Sequence, residues 1–307
     1  MAAKFSLPKW PTLYLEREFD GTVCGVDEAG CAPLAGPVVA AAVMLGQDTK
    51  PRQLRGLTDS KLLDAPQRAR FFEIIQRIAQ VGVGMASVQE IDRLNIYHAD
   101  RLAMQRAVAQ LDPVPGLALV DGRDAPVLQC PTRALVKGDR RSLSIAAASV
   151  VAKVVRDRLM HKLAERFPDY GWQTNVGYGT DAHYLGLLRK GPTEHHRRSF
   201  APLNTIFSPD GPNISRFSFK SVDRLQLDGL ELLLLRQDLH AIFDAAGHHL
   251  GVLRKMRSGW TLHAIGYGND GVPQHGSGPL AAFHGENLDG PERRMLLALF
   301  AQRKTGA

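Results

Sequence analysis

Three short apolar runs in this sequence end on, or are closely followed by, a carboxylate. Val23-Cys24-Gly25-Val26 leads into Asp27-Glu28, Leu117-Ala118-Leu119-Val120 into Asp121, and Ala134-Leu135-Val136 into Lys137-Gly138-Asp139. A buried, unpaired carboxylate is costly and tends to neutralise itself. Singly, each aspartate reads most simply as a solvated turn residue. Three together at strand ends, where α/β sheets gather functional groups, point to a shared site whose mutual repulsion a divalent cation relieves. Hard oxygen ligands suit Mg²⁺ or Mn²⁺. Such sites activate a water and stabilise a leaving oxygen in phosphodiester cleavage. One geometric condition applies. On a regular strand Asp27 and Glu28 point to opposite faces, so both serve one site only if the strand ends or bulges there, or if Glu28 offers its backbone carbonyl.

Several basic and hydroxyl residues are candidates for phosphate contact: Ser60-Lys61, Lys137, Lys153, Arg156 and the run from His195 to Ser199. Taken singly, each is also an ordinary surface residue. His195 and His196 lack the neighbours of a zinc site. Tyr178 stands between Gly177 and Gly179. Such glycines let a backbone approach a ligand, and the ring could stack on a sugar or base or simply occupy a loop.

The 307 residues are 44% hydrophobic with a formal charge of +7, and the sequence pI is about 9.4. This is globular composition with enough length for a sizeable core, and the basic balance suits a polyanion without proving one. Cys24, Cys31 and Cys130 are odd in number and lack a C-x-x-C pair. They argue against a disulfide framework and for a reducing cytoplasm. The first eleven residues do not resemble a signal peptide, and no apolar stretch reaches membrane-spanning length.

The elements that must position these residues follow from periodicity. Residues 22–45 read as two strands joined at the Asp27–Gly30 turn. Residues 66–80 read as a helix capped by Asp64, 81–88 as a strand, 95–111 as a helix and 144–165 as a long helix. Strands alternating with helices indicate an α/β core. The Pro/Gly-rich stretch 208–213 marks a boundary between a first domain, 1–207, and a C-terminal extension, 208–307. Of the net charge, +6 falls on the first 207 residues and +1 on the rest. In the extension, Leu225–Phe243 and Pro291–Lys304 read as helices and the remainder as short glycine-bounded runs, a small α+β unit. His240, His248, His249, His263, His275 and His284 read as scattered surface residues.

These segments together resemble ribonuclease HII. The resemblance rests on Gly25-Val26-Asp27-Glu28-Ala29-Gly30 followed by Pro33 to Val43, on Asp59-Ser60-Lys61, Ile91 to Ala99, Val120-Asp121-Gly122 and Lys137-Gly138-Asp139. Ile145 to Lys153 with Arg156-Asp157, and Gly191 to Phe200, complete it. The segments fall in the family's order over residues 20–204. The resemblance implies a ribonuclease-H-like α/β fold with a mixed central sheet flanked by helices. It implies endonucleolytic cleavage of RNA in RNA–DNA hybrids, and of ribonucleotides embedded in duplex DNA, leaving 5′-phosphate and 3′-hydroxyl ends. It implies a two-metal Mg²⁺ or Mn²⁺ site on Asp27, Glu28, Asp121 and Asp139. Substrate contacts would fall on Gly30, Cys31, Ala32, Ser60, Lys61, Lys137, Ser149, Lys153 and Tyr178, the last beside the ribonucleotide at an RNA–DNA junction.

Two departures stand out. The family's usual Gly-Arg-Gly reads Gly30-Cys31-Ala32 here. That removes a cation and adds a Cβ in a loop expected to read the 2′-hydroxyl, so recognition of a lone ribonucleotide is expected to be altered. The extension is not covered by the resemblance. The competing expectation is a nucleic-acid binder on the same fold that is non-catalytic or of altered specificity. Four retained carboxylates argue against a pure binder, which gains nothing from negative charge where phosphate must sit.

Overall fold

The computed structural model describes residues 10–46, 48–206, 222, 224–227, 230–236, 239–256, 259–267, 273–275 and 281–283. The chain divides into two compact units, residues 1–163 and 164–307.

In the first unit a short helix α1 (Tyr14–Arg17) precedes β1 (Val23–Ala29) and β2 (Val38–Leu45). Then come α2 (Ala65–Ile78), β3 (Ala79–Ala86), α3 (Val88–Leu94), α4 (Ile96–Val108), β4 (Leu117–Asp121) and β5 (Thr132–Leu135). The long helix α5 (Leu143–Arg166) begins in this unit. The sheet order is β3-β2-β1-β4-β5. β1 pairs antiparallel with β2 and parallel with β4, which in turn pairs parallel with β5. This is the mixed sheet expected from the sequence.

The local chemistry explains the elements. β2 is buried along nearly its whole length and is correspondingly an unbroken apolar run. Asp64 caps α2: its carboxylate accepts from the Gln67 backbone N–H at 2.7 Å, while the Gln67 side-chain oxygen accepts from the Asp64 N–H at 2.9 Å. Asn95 takes a left-handed φ of 66°, ends α3 and caps α4 by accepting from the His98 N–H at 3.2 Å. The first half of α5, from Ile145 to Ala148 and on through Val150 to Ala152, is fully buried. That is why its sequence is small and apolar on every side. Its N-terminus meets a carboxylate that the sequence did not announce. Glu16 Oε1 accepts from the Ser144 N–H at 2.9 Å and from the Ser142 and Ser144 hydroxyls.

One boundary differs from expectation. Asp27, Glu28 and Ala29 belong to β1 itself. The connection to β2 is Gly30–Pro37, so the carboxylates are held by a sheet ladder rather than by a turn.

In the second unit α6 (Trp172–Asn175), α7 (Asp181–Lys190) and α8 (Leu203–Ile206) are followed by strands β6 (Arg224–Leu227), β7 (Leu230–Arg236), β8 (Leu239–Asp244), β9 (His249–Met256), β10 (Gly259–Tyr267), β11 (Pro273–His275) and β12 (Ala281–Phe283). The described residues of the extension form an antiparallel sheet ordered β11-β10-β9-β8-β7-β6, with β12 pairing β10. The helix expected over Leu225–Phe243 is therefore three strands. A continuous leucine run does not distinguish a buried strand from a helix. The decisive signal was Asp228-Gly229 between Leu227 and Leu230, which pair with each other: an Asp-Gly pair of that length favours a hairpin. The helix expected over Pro291–Lys304 lies outside the described residues. Among described residues no helix is long and apolar enough to cross a membrane.

The β3–α4 contact is close enough to be tested. A Cβ on Gly84 would stand 2.1 Å from the Ala103 carbonyl oxygen and one on Gly82 2.0 Å from that of Ala107. Gly84→Ala should cost about 1–3 kcal/mol in urea unfolding, as overpacking against a rigid backbone does. Gly46→Ala is the control: its Cβ would meet nothing nearer than 3.8 Å. Equal stability of the two variants would refute the close approach.

Candidate metal centre

Val26 is the last β1 residue paired with β4, opposite Val120. The next residue on each strand is an aspartate, Asp27 and Asp121. Parallel register thus sets the two side by side where the β1–β4 ladder ends. The third carboxylate arrives from the turn after β5. The Gly138 N–H donates to Asp121 Oδ1 at 2.6 Å, which ties the single-turn 3₁₀ segment Gly138–Arg140 to β4 and carries Asp139 inward. One oxygen from each of Asp27, Asp121 and Asp139 lies within 4.8 Å of the others.

Glu28 stands between two groups: its side chain is hydrogen-bonded to that of Asp27 and feels the charge of Asp121. Its carboxylate gathers with Cys31 and Asp100, again within 4.8 Å, with Cys31 Sγ 3.8 Å from Glu28 Oε1. The structure therefore brings together three of the four expected carboxylates and places the fourth in an adjoining group. A hydrogen bond from the Glu28 N–H to Asp27 Oδ1, at 2.7 Å, links the two groups. Asp100 was not anticipated. Its signal was present on α4, where it shares the buried face with Ala99, Ala103, Met104 and Ala107. A carboxylate on an apolar helix face is the informative exception.

Electrostatics follow from burial and like charge. Burial, with Glu28 and Asp121 next, raises Asp27 well above the usual carboxylate range. Burial and then Asp121 raise Glu28. Burial raises Asp121 against the lowering effect of the Gly138 N–H. Burial, then Asp121 and Asp59, brings Asp139 to about 6. Burial, then Glu28, brings Asp100 to about 8. Lys61, exposed on the surface, eases Glu28, Asp121 and Asp139 toward ionisation. Carboxylates forced toward protonation by one another fit a divalent cation, and an all-oxygen donor set from Asp27, Asp121 and Asp139 suits Mg²⁺ or Mn²⁺.

The remaining candidates fall into distinct settings. Ser60 and Ser149 are buried and joined, Ser149 Oγ donating to Ser60 Oγ at 2.8 Å. Lys153 pairs with Asp157 at 2.8 Å on its own helix. Lys137 is exposed with a left-handed φ of 55°. Tyr178 is 42% exposed and lies in the second unit.

Besides Ser60, three residues read as surface phosphate contacts are instead buried: Arg156, His196 and Arg197. Arg156 lies beneath the Gly30–Pro37 connection. Its Nε donates to the Pro37 carbonyl and its Nη2 to that of Ala35, each at 3.1 Å. Gly30, with φ of 100°, passes so near that a Cβ would stand 2.0 Å from Arg156 Nε. In the extension His249 is buried and stacks on Phe243 at 4.7 Å, rather than lying on the surface, and His248 pairs with Asp244 at 3.2 Å. The side chains of His275 and His284 lie outside the described residues.

A family model described as Ribonuclease HII matches residues 24–203. The ribonuclease HII of Granulibacter bethesdensis is 57% identical over 197 residues, covering 63% of this chain and 90% of its own. That of Parvibaculum lavamentivorans is 54% identical over 188 residues, covering 61% and 69%. Among solved structures, ribonuclease H2 from Pyrococcus horikoshii OT3 matches with a TM-score of 0.53 and 25% identity, over 60% of this chain and 96% of that one.

The acidic groups predict a pH signature. A carboxyl with a raised folded pKa holds a proton that the unfolded chain has released, so its stabilisation is lost as pH rises through the folded value. Asp139, at about 6, has given up its share below pH ~7, whereas Asp100, at about 8, has not; the Tm of EDTA-treated protein should therefore fall between pH ~7.5 and ~8.5, above the range where unfolded histidines titrate. Saturating Mg²⁺ or Mn²⁺ should remove most of that fall, because a cation favours the ionised forms. A metal-free Tm that climbs across this range would contradict the assignment.

Proposed function

The chain belongs to the ribonuclease HII family and is a metal-dependent endonuclease of the ribonuclease H type; we propose that it cuts the RNA strand of RNA–DNA hybrids and ribonucleotides embedded in duplex DNA, leaving 5′-phosphate and 3′-hydroxyl ends. The observation that carries the reading onto these residues is the convergence of Asp27, Asp121 and Asp139 at adjacent strand ends. These three carboxylates, with Glu28 alongside, would hold Mg²⁺ or Mn²⁺ in a two-metal arrangement. When bound, such ions supply Lewis acidity for phosphodiester hydrolysis.

The chain's own groups do the rest. Gly138 fixes the orientation of Asp121 through its N–H. Lys61 would meet a phosphate, a reading supported by its exposure and by its electrostatic effect on Glu28, Asp121 and Asp139. The Ser60–Ser149 hydroxyl pair and Lys153, already oriented by Asp157, offer further donors to the substrate backbone. Lys137 adds positive charge beside the Asp139 turn. Tyr178 is assigned to the ribonucleotide at an RNA–DNA junction. The catalytic domain is taken as residues 1–207, supported by a family match that ends at 203, with 208–307 as an extension that belongs to the second compact unit.

Cys31 has a particular consequence. It faces two half-buried carboxylates, Glu28 and Asp100, where the family's usual pattern supplies an arginine. Selectivity for a lone ribonucleotide over a continuous hybrid should therefore be lower in this chain than in one retaining Gly-Arg-Gly.

Two measurements test these readings. Asp121→Asn should lower Mg²⁺- or Mn²⁺-dependent nicking by about 10²-fold or more, since it removes one of three converging ligand groups; nicking that survives would assign the activity elsewhere. In single-turnover assays, Cys31→Arg/Ala32→Gly should raise cleavage of a duplex with one ribonucleotide relative to a continuous hybrid. If the parent cleaves both with equal efficiency and the double variant changes neither, the triplet has no part in recognition.

A further inference from the structure

Two buried imidazoles in the second unit are left unused by the chemistry above. His183, on α7, and His196 are 0% and 1% exposed. Their Nε2 atoms lie 3.0 Å apart. Tyr170, Trp172 and Phe167 build the aromatic wall around them and around His195.

The hydrogen bonds leave one arrangement of protons. His183 Nδ1 lies 2.9 Å from the Tyr178 carbonyl oxygen. A carbonyl only accepts, so Nδ1 carries the hydrogen. His196 Nδ1 accepts from the Thr193 backbone N–H at 2.9 Å, so it is bare, and the hydrogen of His196 sits on Nε2. That N–H points at His183 Nε2, which is bare and also accepts from Trp172 Nε1–H at 3.2 Å. The chain runs Thr193 N–H to His196, His196 to His183, and His183 to the carbonyl of Tyr178. An added proton would set two N–H groups head to head. Burial accordingly pushes His183 down to about 4 and His196 well below the ordinary imidazole range.

The receiving end of this chain is a strained and heavily anchored loop. Val176, a β-branched residue, is held at a φ of 44°, a conformation that persists only where its surroundings enforce it. Asn175, buried, donates to the Tyr170 carbonyl at 2.8 Å and to Thr180 Oγ1 at 3.0 Å, and accepts from the Gly177 N–H at 2.9 Å. The Tyr178 carbonyl accepts a second bond, from the Thr180 N–H at 2.9 Å. All of this fixes the backbone of a residue whose ring is left 42% exposed.

We propose that His183 and His196 form a proton-ordered relay that sets the pose of Tyr178, and so act as positioning residues for discrimination of the ribonucleotide. The inference rests on the reading of Tyr178 as a substrate-contacting residue. It assigns the pair no proton transfer in the reaction.

Side-chain amides separate positioning from bulk. In His183→Asn the amide nitrogen falls near the place of Nδ1 and keeps the donor to Tyr178. In His183→Gln it falls near Nε2 and loses that donor while filling the cavity as well. With the full chain and Mg²⁺, kcat and KM are measured on a duplex with one ribonucleotide and on a continuous hybrid, alongside Tm. His183→Gln should raise KM for the single-ribonucleotide duplex about tenfold, a cost in keeping with a misplaced contact residue. His183→Asn should stay within about threefold of the parent. In a Tyr178→Ala background both substitutions should be silent. Equal losses in the two variants that track Tm, or a His183→Gln effect that persists in Tyr178→Ala, would overturn the relay. A Tyr178→Ala variant that discriminates as the parent does would overturn the reading of Tyr178, and the proposal with it.

Discussion

Like charges that share a desolvated space cannot all remain ionised without a compensating cation, and the first unit is organised around that constraint. Asp27 and Asp121 are forced together by the register of two parallel strands, at the level where their pairing ends. Neither can move away without breaking a ladder in the middle of the sheet. Asp139 is then drawn in because the turn that bears it is hydrogen-bonded to Asp121 itself. The repulsion is thus structural in origin, stored by backbone geometry rather than by side-chain choice. The N-terminus of α5, which follows directly on the Asp139 turn, is anchored in turn by Glu16. The cluster and the longest helix are consequently secured from opposite sides of one short segment.

Much of this was legible in the sequence, for physical reasons that differ by residue. Three aspartates following apolar runs were visible because a carboxylate adjoining a buried strand is rare without a role. The two-residue pleat would set Asp27 and Glu28 on opposite faces, yet Glu28 joins Cys31 and Asp100 while its side chain stays hydrogen-bonded to that of Asp27, so the pleat alone does not divide the two acids. Asp100 was overlooked because a single acid in a helix looks like surface until the helix face is known. Arg156, His196 and Arg197 are buried for the converse reason: charge or polarity suggests solvent, whereas Arg156 meets backbone carbonyls, His196 an amide and another imidazole, and Arg197 the Phe200 ring, none of which sequence spacing reveals.

The extension shows the limit of periodicity. Leu230 to Leu235 alternates with neither period, apart from Glu231, and its strand state is settled by pairing with β6 and β8. That pairing is long-range information relative to the run itself. The two-residue Asp-Gly connection was the local clue, and it outweighs the leucines because it constrains the backbone whereas they report only burial. Leu232 and Leu233, and Ala241, Ile242 and Phe243, are consecutive on their strands and all buried, so both faces of this sheet are covered there and no alternation is left for the sequence to display.

Arg156 bears on how such a site changes over evolutionary time. Because a guanidinium from α5 grips the carbonyls of Ala35 and Pro37 and crowds Gly30, the course of the connection between β1 and β2 is dictated from below. Those carbonyl bonds involve no side chain at positions 31 or 32. Substitution there is buffered: the path of the loop survives while the chemistry it displays is exchanged. A lineage can therefore sample new groups above the acidic pair at small risk to folding, and Gly30-Cys31-Ala32 is one such sample.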